Sequence, residues 1–322
     1  MRIAVVGATG HVGTYLVPRL VRAGHQVVAL SRGTREPYTP DDAWQQVERV
    51  TVDRDAEDAA GTFAATLLAT RPDAVVDLVC FTEESGRALV EGLRGKVSHL
   101  VHIGTVWVHG LPSVAPMDEE DDRDPYGEYG VAKDALERML LAESRGGGLP
   151  CTVVHPGHIS GPGWDCVTPA GNRDARVWQA LAAGETLLLP GSGTELMHHV
   201  HADDVALLVQ LALEQPGAAA GQAFHAVSPQ AMTSRGLARA AAGWFGREAD
   251  VEVVPWERFG ASVTPEHLAE SEDHLLRSHS ASTRRAREVL GFVPQHSSAD
   301  TCREAVRALV DAGELDLGGA RP

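Results

Sequence analysis

The sequence predicts an α/β fold: a doubly wound parallel sheet with a smaller C-terminal lobe. Three observations predict it. Short apolar runs alternate with helical patterns through the first half of the chain, which is the signature of parallel strands joined by crossover helices. The first apolar run passes through a glycine-rich turn, Gly7-Ala8-Thr9-Gly10-His11-Val12-Gly13, straight into a helical pattern. After residue 157 the alternation gives way to turn-rich sequence, Gly161-Pro162-Gly163 and Pro190-Gly191-Ser192-Gly193.

In order, the strand candidates are Arg2–Val6, Gln26–Leu30, Val47–Val52, Ala74–Val79, Leu100–Ile103 and Thr152–His155. Helical patterns lie between them at 13–23, 56–70, 84–93 and 128–145. Right-handed crossovers then place a ligand crevice at the C-terminal ends of the strands. Residues 1–157 are expected to form a dinucleotide-binding domain and 158–322 mainly a substrate-binding lobe. Helical patterns recur there at 172–183, 203–214, 233–246 and 299–312, with a short strand at Ala223–Val227. Elements near 200–227 are expected to return to the main sheet. The tail, residues 318–322, reads as frayed. The segment 117–124 carries six acids and one arginine, and reads as a solvated loop or a lid before the fourth helix.

Composition narrows the function. Charged residues at 22% and hydrophobic residues at 43% describe an ordinary globular protein. A formal net charge of −16 argues against nucleic acid and against an anionic membrane surface as partners. No apolar stretch reaches the length of a membrane span. Cys80, Cys151, Cys166 and Cys302 show no CxxC spacing, so neither a disulfide framework nor a metal site is expected, and a cytoplasmic location fits. His198, His199 and His201 also lack ligand spacing suited to a helix.

The chemistry begins in the glycine turn. Gly7, Gly10 and Gly13 allow a tight turn, close approach of a pyrophosphate, and packing of helix on strand. Thr9, His11 and Val12 lie in that turn, and the helix N-terminus offers free N–H groups to the phosphates. The second strand ends in Ser31-Arg32 with no carboxylate, which suits a ribose 2′-phosphate and favours NADP(H) over NAD(H). Arg32 stacked on the adenine, or turned to solvent, is the alternative. Further on, Tyr129 and Lys133 stand four residues apart on one helix face. A nearby ammonium lowers a phenol's pKa towards the range useful for proton transfer. Thr105, after the fifth strand, offers a hydroxyl to a substrate oxygen.

On these residues the chain resembles the extended short-chain dehydrogenase/reductases of the NAD-dependent epimerase/dehydratase type, which have a Rossmann-type sheet. The matches are the glycine pattern at 7–13, Thr105, and the Tyr129–Lys133 pair. Weaker ones are the segments 155–162 (His155 to Pro162), 201–206 (His201 to Ala206) and 287–294 (Arg287 to Pro294). The resemblance implies that Tyr129 exchanges the proton of a substrate hydroxyl or carbonyl. Lys133 would lower its pKa and hold the cofactor ribose, and Thr105 would orient the substrate oxygen. It implies further cofactor contacts from Asp53, Cys80, Phe81, His155 and Pro156, although Asp53 reads equally as a loop cap. Substrate walls are expected from Val106, Trp107, His158, Trp164 and Met197, with core packing the alternative for both tryptophans. A homodimer through the long helices flanking the sheet is also implied.

Departures from the family pattern separate its reactions. Thr105 is followed by Val106-Trp107 and not by the Asp-Glu of the 4,6-dehydratases, so that elimination lacks its acid–base pair. Met197 stands where 4-epimerases carry an arginine and His158 where they carry an asparagine; His158, His198, His199 and Arg173 are the available substitutes. Two expectations follow: an epimerase of a sugar or sugar nucleotide, and an NADPH-dependent reductase or dehydrogenase of a small ketone, aldehyde or alcohol. A catalytically idle, cofactor-sensing relative is a third, opposed by the intact Tyr129–Lys133 pair.

Overall fold

Arg2–Val6 (β1) is apolar after its first residue because it is covered on both faces; Ile3, Ala4 and Val5 have no exposed surface. The computed structural model describes all 322 residues. After β1 come α1 (His11–Arg22), β2 (Gln26–Ser31), β3 (Glu48–Thr51), α2 (Arg54–Ala60), α3 (Phe63–Ala69) and β4 (Ala74–Asp77). Then come α4 (Glu83–Leu93), β5 (His99–Ile103), α5 (Gly127–Arg145) and β6 (Cys151–Pro156). The second half holds β7 (His158–Ser160), α6 (Ala175–Ala183), β8 (Leu187–Pro190), β9 (Leu196–Met197), β10 (His199–His201), α7 (Ala202–Glu214), α8 (Pro216–Ala219) and β11 (Ala223–Ala226). Last are β12 (Met232–Thr233), α9 (Ser234–Trp244), β13 (Val251–Val254), α10 (Trp256–Gly260), α11 (Pro265–Leu275), α12 (Arg284–Leu290) and α13 (Ser298–Asp311).

Seven strands pair in parallel in the order β11-β6-β5-β4-β1-β2-β3. The chain reverses its direction of travel across the sheet after β3, so β1 and β4 flank the switch point and their C-terminal ends splay apart into a crevice. One apolar core packs α1 and α7 on one face, around Leu16, Leu20, Leu208 and Phe224. A second packs α3, α4 and α5 on the other, around Phe63, Leu67, Leu93, Leu136 and Leu140. A third fills the lobe, around Trp178, Leu237, Phe259, Leu275 and Val306. Arg19 and Asp203 clamp α1 to α7 through two bonds of 2.5 Å.

Three expectations change. The helix expected at 56–70 is two helices, because Gly61 ends the first in the left-handed conformation at φ 69°. The tail is docked: Leu315, Leu317 and Pro322 are buried, and Ala320 packs on the lobe's core. The acidic segment is pinned at Met117 and Glu119, both buried, and Glu119 accepts from the His225 amide at 2.8 Å.

Candidate active site

The glycine turn forms one wall of a crevice of about 450 Å³ at the switch point. Gly7 has φ +82°, and a side chain there would lie 2.6 Å from Val79 Cγ1. At Gly13 a Cβ would lie 2.3 Å from the Ala8 carbonyl oxygen, so helix and turn can meet only over a glycine. Gly10 caps α1 without a side-chain hydrogen bond, and the first turn holds no acid. The leading amides of α1 are therefore left for a ligand, and the dipole there favours an anion. A dinucleotide pyrophosphate fits this cradle on both counts.

Gly7, Thr9, Gly10, His11, Val12 and Gly13 all line the crevice, as do Ser31, Arg32, Asp53 and Phe81. Arg32 is exposed at the lip. Thr34, Arg35 and Arg54, which sequence reasoning missed, join them. Arg35 is bonded to the Tyr38 hydroxyl. Arg54 grips both Asp77 oxygens at 2.6 and 2.7 Å beneath the crevice. Asp53 caps α2 through the Ala56 amide at 3.1 Å while facing the crevice, so its two readings are compatible.

Ile103 closes the inner end of the crevice, and Thr105 follows it. Thr105 Oγ1 accepts from the Trp107 amide at 3.2 Å, fixing a short 3₁₀ turn over Val106–His109. Tyr129 lies one turn into α5, its ring edge-on to Trp107 at 5.8 Å. The residue is partly exposed, but desolvation by the protein around its ring pushes the pKa above the usual value, and the Thr105 hydroxyl beside it opposes that. Lys133 does not lower it. Its Nζ turns instead to the carbonyls of Cys80 at 2.6 Å and Ile103 at 2.8 Å, with the ammonium 4.8 Å from the Phe81 ring centre. Burial among neutral acceptors brings Lys133 down to about 8, against the pull of the Asp77 carboxylate. The expected electrostatic effect of Lys133 on Tyr129 is thus absent from the protein alone; the two residues share a helix face but not a hydrogen bond.

Several candidates lie elsewhere. His155 is wholly buried in a bond of 2.6 Å to Glu137, behind the sheet end, and Pro156 is a buried strand residue beside Ala226; neither lines the crevice. Cys80 offers Lys133 its carbonyl, but its side chain belongs to the core. Val106 packs with Met117, Val227 and Ala281. Met197 has no exposed surface and lies in the lobe's core. Trp164 stacks on His11 at 5.3 Å and borders the glycine-turn crevice. Trp107 does stand beside Tyr129. His158 keeps both ring nitrogens free of partners and packs 5.1 Å from His274. The other proposed substitutes are engaged: His198 and His199 with carbonyls, Arg173 with Glu270. Arg277, which no local pattern marks, is almost fully buried with its guanidinium between the rings of Trp107 (3.8 Å) and Tyr126 (4.0 Å).

No helix is long and apolar enough to cross a membrane. Comparison with known proteins agrees with this geometry. Residues 3–226 match the NAD dependent epimerase/dehydratase family. A UDP-glucose 4-epimerase of Mycolicibacterium smegmatis is 31% identical over 95% of this chain and 97% of its own. A 2'-dehydrokanamycin reductase of Streptomyces kanamyceticus is 30% identical over 66% of this chain, which spans 58% of that enzyme. A Bacillus cereus UDP-glucuronic acid 4-epimerase, solved with UDP-glucuronic acid and NAD, shares the fold at a TM-score of 0.72 and 18% identity, covering 97% of this chain and 100% of its own. The glycine cradle, the crevice at the switch point and the match over more than half the chain place this protein in the NAD-dependent epimerase/dehydratase family.

Proposed function

We propose that the protein is an epimerase that inverts a secondary alcohol carbon of a sugar or sugar nucleotide. The observation that carries this reading is the end-to-end similarity to a UDP-glucose 4-epimerase; it is supported by Lys133, bonded to the carbonyl of the crevice residue Ile103, and by the Thr105 hydroxyl beside Tyr129. The dinucleotide, when bound, supplies the acceptor and donor of hydride. Thr105 orients the substrate oxygen, and Tyr129, once its own phenol proton has gone to solvent, takes the hydroxyl proton as the phenolate while the carbon is oxidised. After the keto sugar turns its other face, Tyr129 returns the proton to the oxygen as the carbon is reduced. Lys133, fixed by two carbonyls beside Phe81, holds the ribose. The favoured dinucleotide is NADP(H): Ser31, Arg32 and Arg35 form a basic lip without a carboxylate at the strand tip.

That same lip favours a second reading, an NADPH-dependent reductase of a small ketone or aldehyde, with cofactor exchange at each turnover. Denaturing the purified protein and identifying the released nucleotide separates the two. Stoichiometric, tightly held dinucleotide supports the epimerase. An empty site that binds NADPH reversibly supports the reductase.

A further inference from the structure

Beneath the His158 wall, three segments of the lobe bring a cluster of ligating atoms together. Cys166 comes from the loop before α6, His199 from β10 and Cys302 from α13. One ligating atom of each lies within 4.8 Å of the others, and all three residues are buried. His199 Nε2 lies 3.1 Å from the Val167 carbonyl, which can only accept, so Nε2 carries the proton and Nδ1 keeps its lone pair. Nδ1 has no oxygen or nitrogen partner, and neither has the fully buried Ser160 hydroxyl; both lie against the Cys166 thiol, whose sulfur is also 3.4 Å from the Val167 carbonyl. A thiol is only a weak hydrogen-bond partner, so the imidazole nitrogen and the hydroxyl are satisfied poorly by sulfur alone.

We propose that Cys166, His199 and Cys302 bind one zinc ion, with the Ser160 hydroxyl as fourth ligand, as a structural site that fastens α13 to β7 and β10. The donor set suits zinc, which takes sulfur and imidazole in tetrahedral geometry, and does not suit calcium or magnesium, which take oxygen. Zinc–ligand bonds of about 2.0–2.3 Å need only a modest contraction of the cluster. Two thiolates neutralise the dication, so the core would hold no net charge. A carbonyl on the far nitrogen of a ligating histidine is the usual outer-shell partner. The other two histidine clusters are engaged already: His109 Nε2 with His225 and His155 with Glu137 in one, His201 with the Asp203 amide and His296 with Asp204 in the other. No spacing rule could find the site, because its ligands come from distant parts of the sequence.

Metal analysis of the full-length protein, purified from zinc-supplemented medium and passed over a desalting column, tests this directly. About one zinc per chain is expected. Cobalt(II) exchanged into the protein should show thiolate-to-metal charge-transfer bands and the visible bands of a tetrahedral site. Chelation should lower the thermal midpoint. Cys302→Ser should abolish the cobalt bands, and Cys151→Ser, a buried thiol elsewhere, should leave them intact. If Cys302→Ser does not fold, the cobalt spectrum of the unaltered protein still decides. Protein free of zinc, without thiolate–cobalt bands and with a midpoint indifferent to chelator, would overturn the proposal. A Cys166–Cys302 disulfide, seen as two reactive thiols per unfolded chain where four cysteines exist, would overturn it equally.

Discussion

Tyr129 and Lys133 show how far single residues can be read. Their spacing announces a shared helix face, and the structure places them on one. Their electrostatics were not legible, because Lys133's partners are carbonyls contributed by β5 and the β4–α4 loop. With its pKa raised, Tyr129 is a phenol at neutral pH. Tyr129→Phe removes the only proton that group can transfer, so turnover should fall by about 10²–10⁴-fold. Dinucleotide affinity, measured by fluorescence titration, should stay within a few-fold; full activity in the variant would sink the mechanism. Lys133 makes a separate prediction. Its folded pKa of about 8 lies below the usual lysine value of 10.5, so the unfolded chain binds more protons between those limits. The buried charge costs about 3 kcal/mol below pH 8, and that cost fades as the pH rises towards 10.5. The thermal midpoint of the cofactor-free protein should carry this upward contribution over pH 8–10, and Lys133→Met should remove it. At the lip, Arg32→Ala should weaken NADPH by roughly 10–100-fold, the worth of one charge-assisted hydrogen bond, and NADH far less. Equal losses for the two dinucleotides would remove the case for a 2′-phosphate site.

At the scale of elements, the central strands of the main sheet were legible because burial on both faces makes them largely apolar runs between turn residues, whereas edge strand β3, Glu-Arg-Val-Thr, is mostly exposed. All six strands expected in the first half are present, with ends shifted by two residues at most. The lobe was less legible. Strands β7 to β10 are two to four residues long and owe their existence to pairing with distant segments, such as β13 on β8. Helices α10, α11 and α12 were missed because they are short or polar. The eleven residues of α11 hold four acids and bury only Ser271, His274 and Leu275. The β1–α1 junction lies at the other extreme: sequence and structure agree there because sterics leave one solution. Gly13→Ala forces a methyl group against the Ala8 backbone, which cannot rotate aside as a side chain could. It should cost about 1–3 kcal/mol of stability and move α1 out of register with the turn. Dinucleotide binding by calorimetry should fall more than the unfolding free energy accounts for, because the amides of α1 leave their positions.

Across the whole molecule the unusual feature is histidine. Eleven of the fifteen histidines are buried, which no local pattern revealed because they come from many separate strands, turns and helices. Burial holds His99, His198, His201 and His279 down at about 4, His11 at about 3 and His109 at about 2, with neighbouring histidines adding to the effect around most of them. The sign is fixed by linkage. Above pH 6.5 these rings are neutral folded or unfolded and contribute nothing. Below it the unfolded chain takes up protons that the native core refuses, so stability falls. At pH 5 each of the six costs about 2 kcal/mol, and even half the sum rivals the 5–15 kcal/mol that holds a typical domain together. Most carboxylates titrate below this window, near 4 in the unfolded chain and with Glu137 held at about 2 in the fold; Glu119, raised by burial, is the exception and opposes the fall. The thermal midpoint should therefore drop steeply between pH 6.5 and 5, with several protons taken up per molecule unfolded. A midpoint that stays level across that interval would mean that the histidine core admits charge, through water or through a bound cation, in a way its hydrogen bonds do not show.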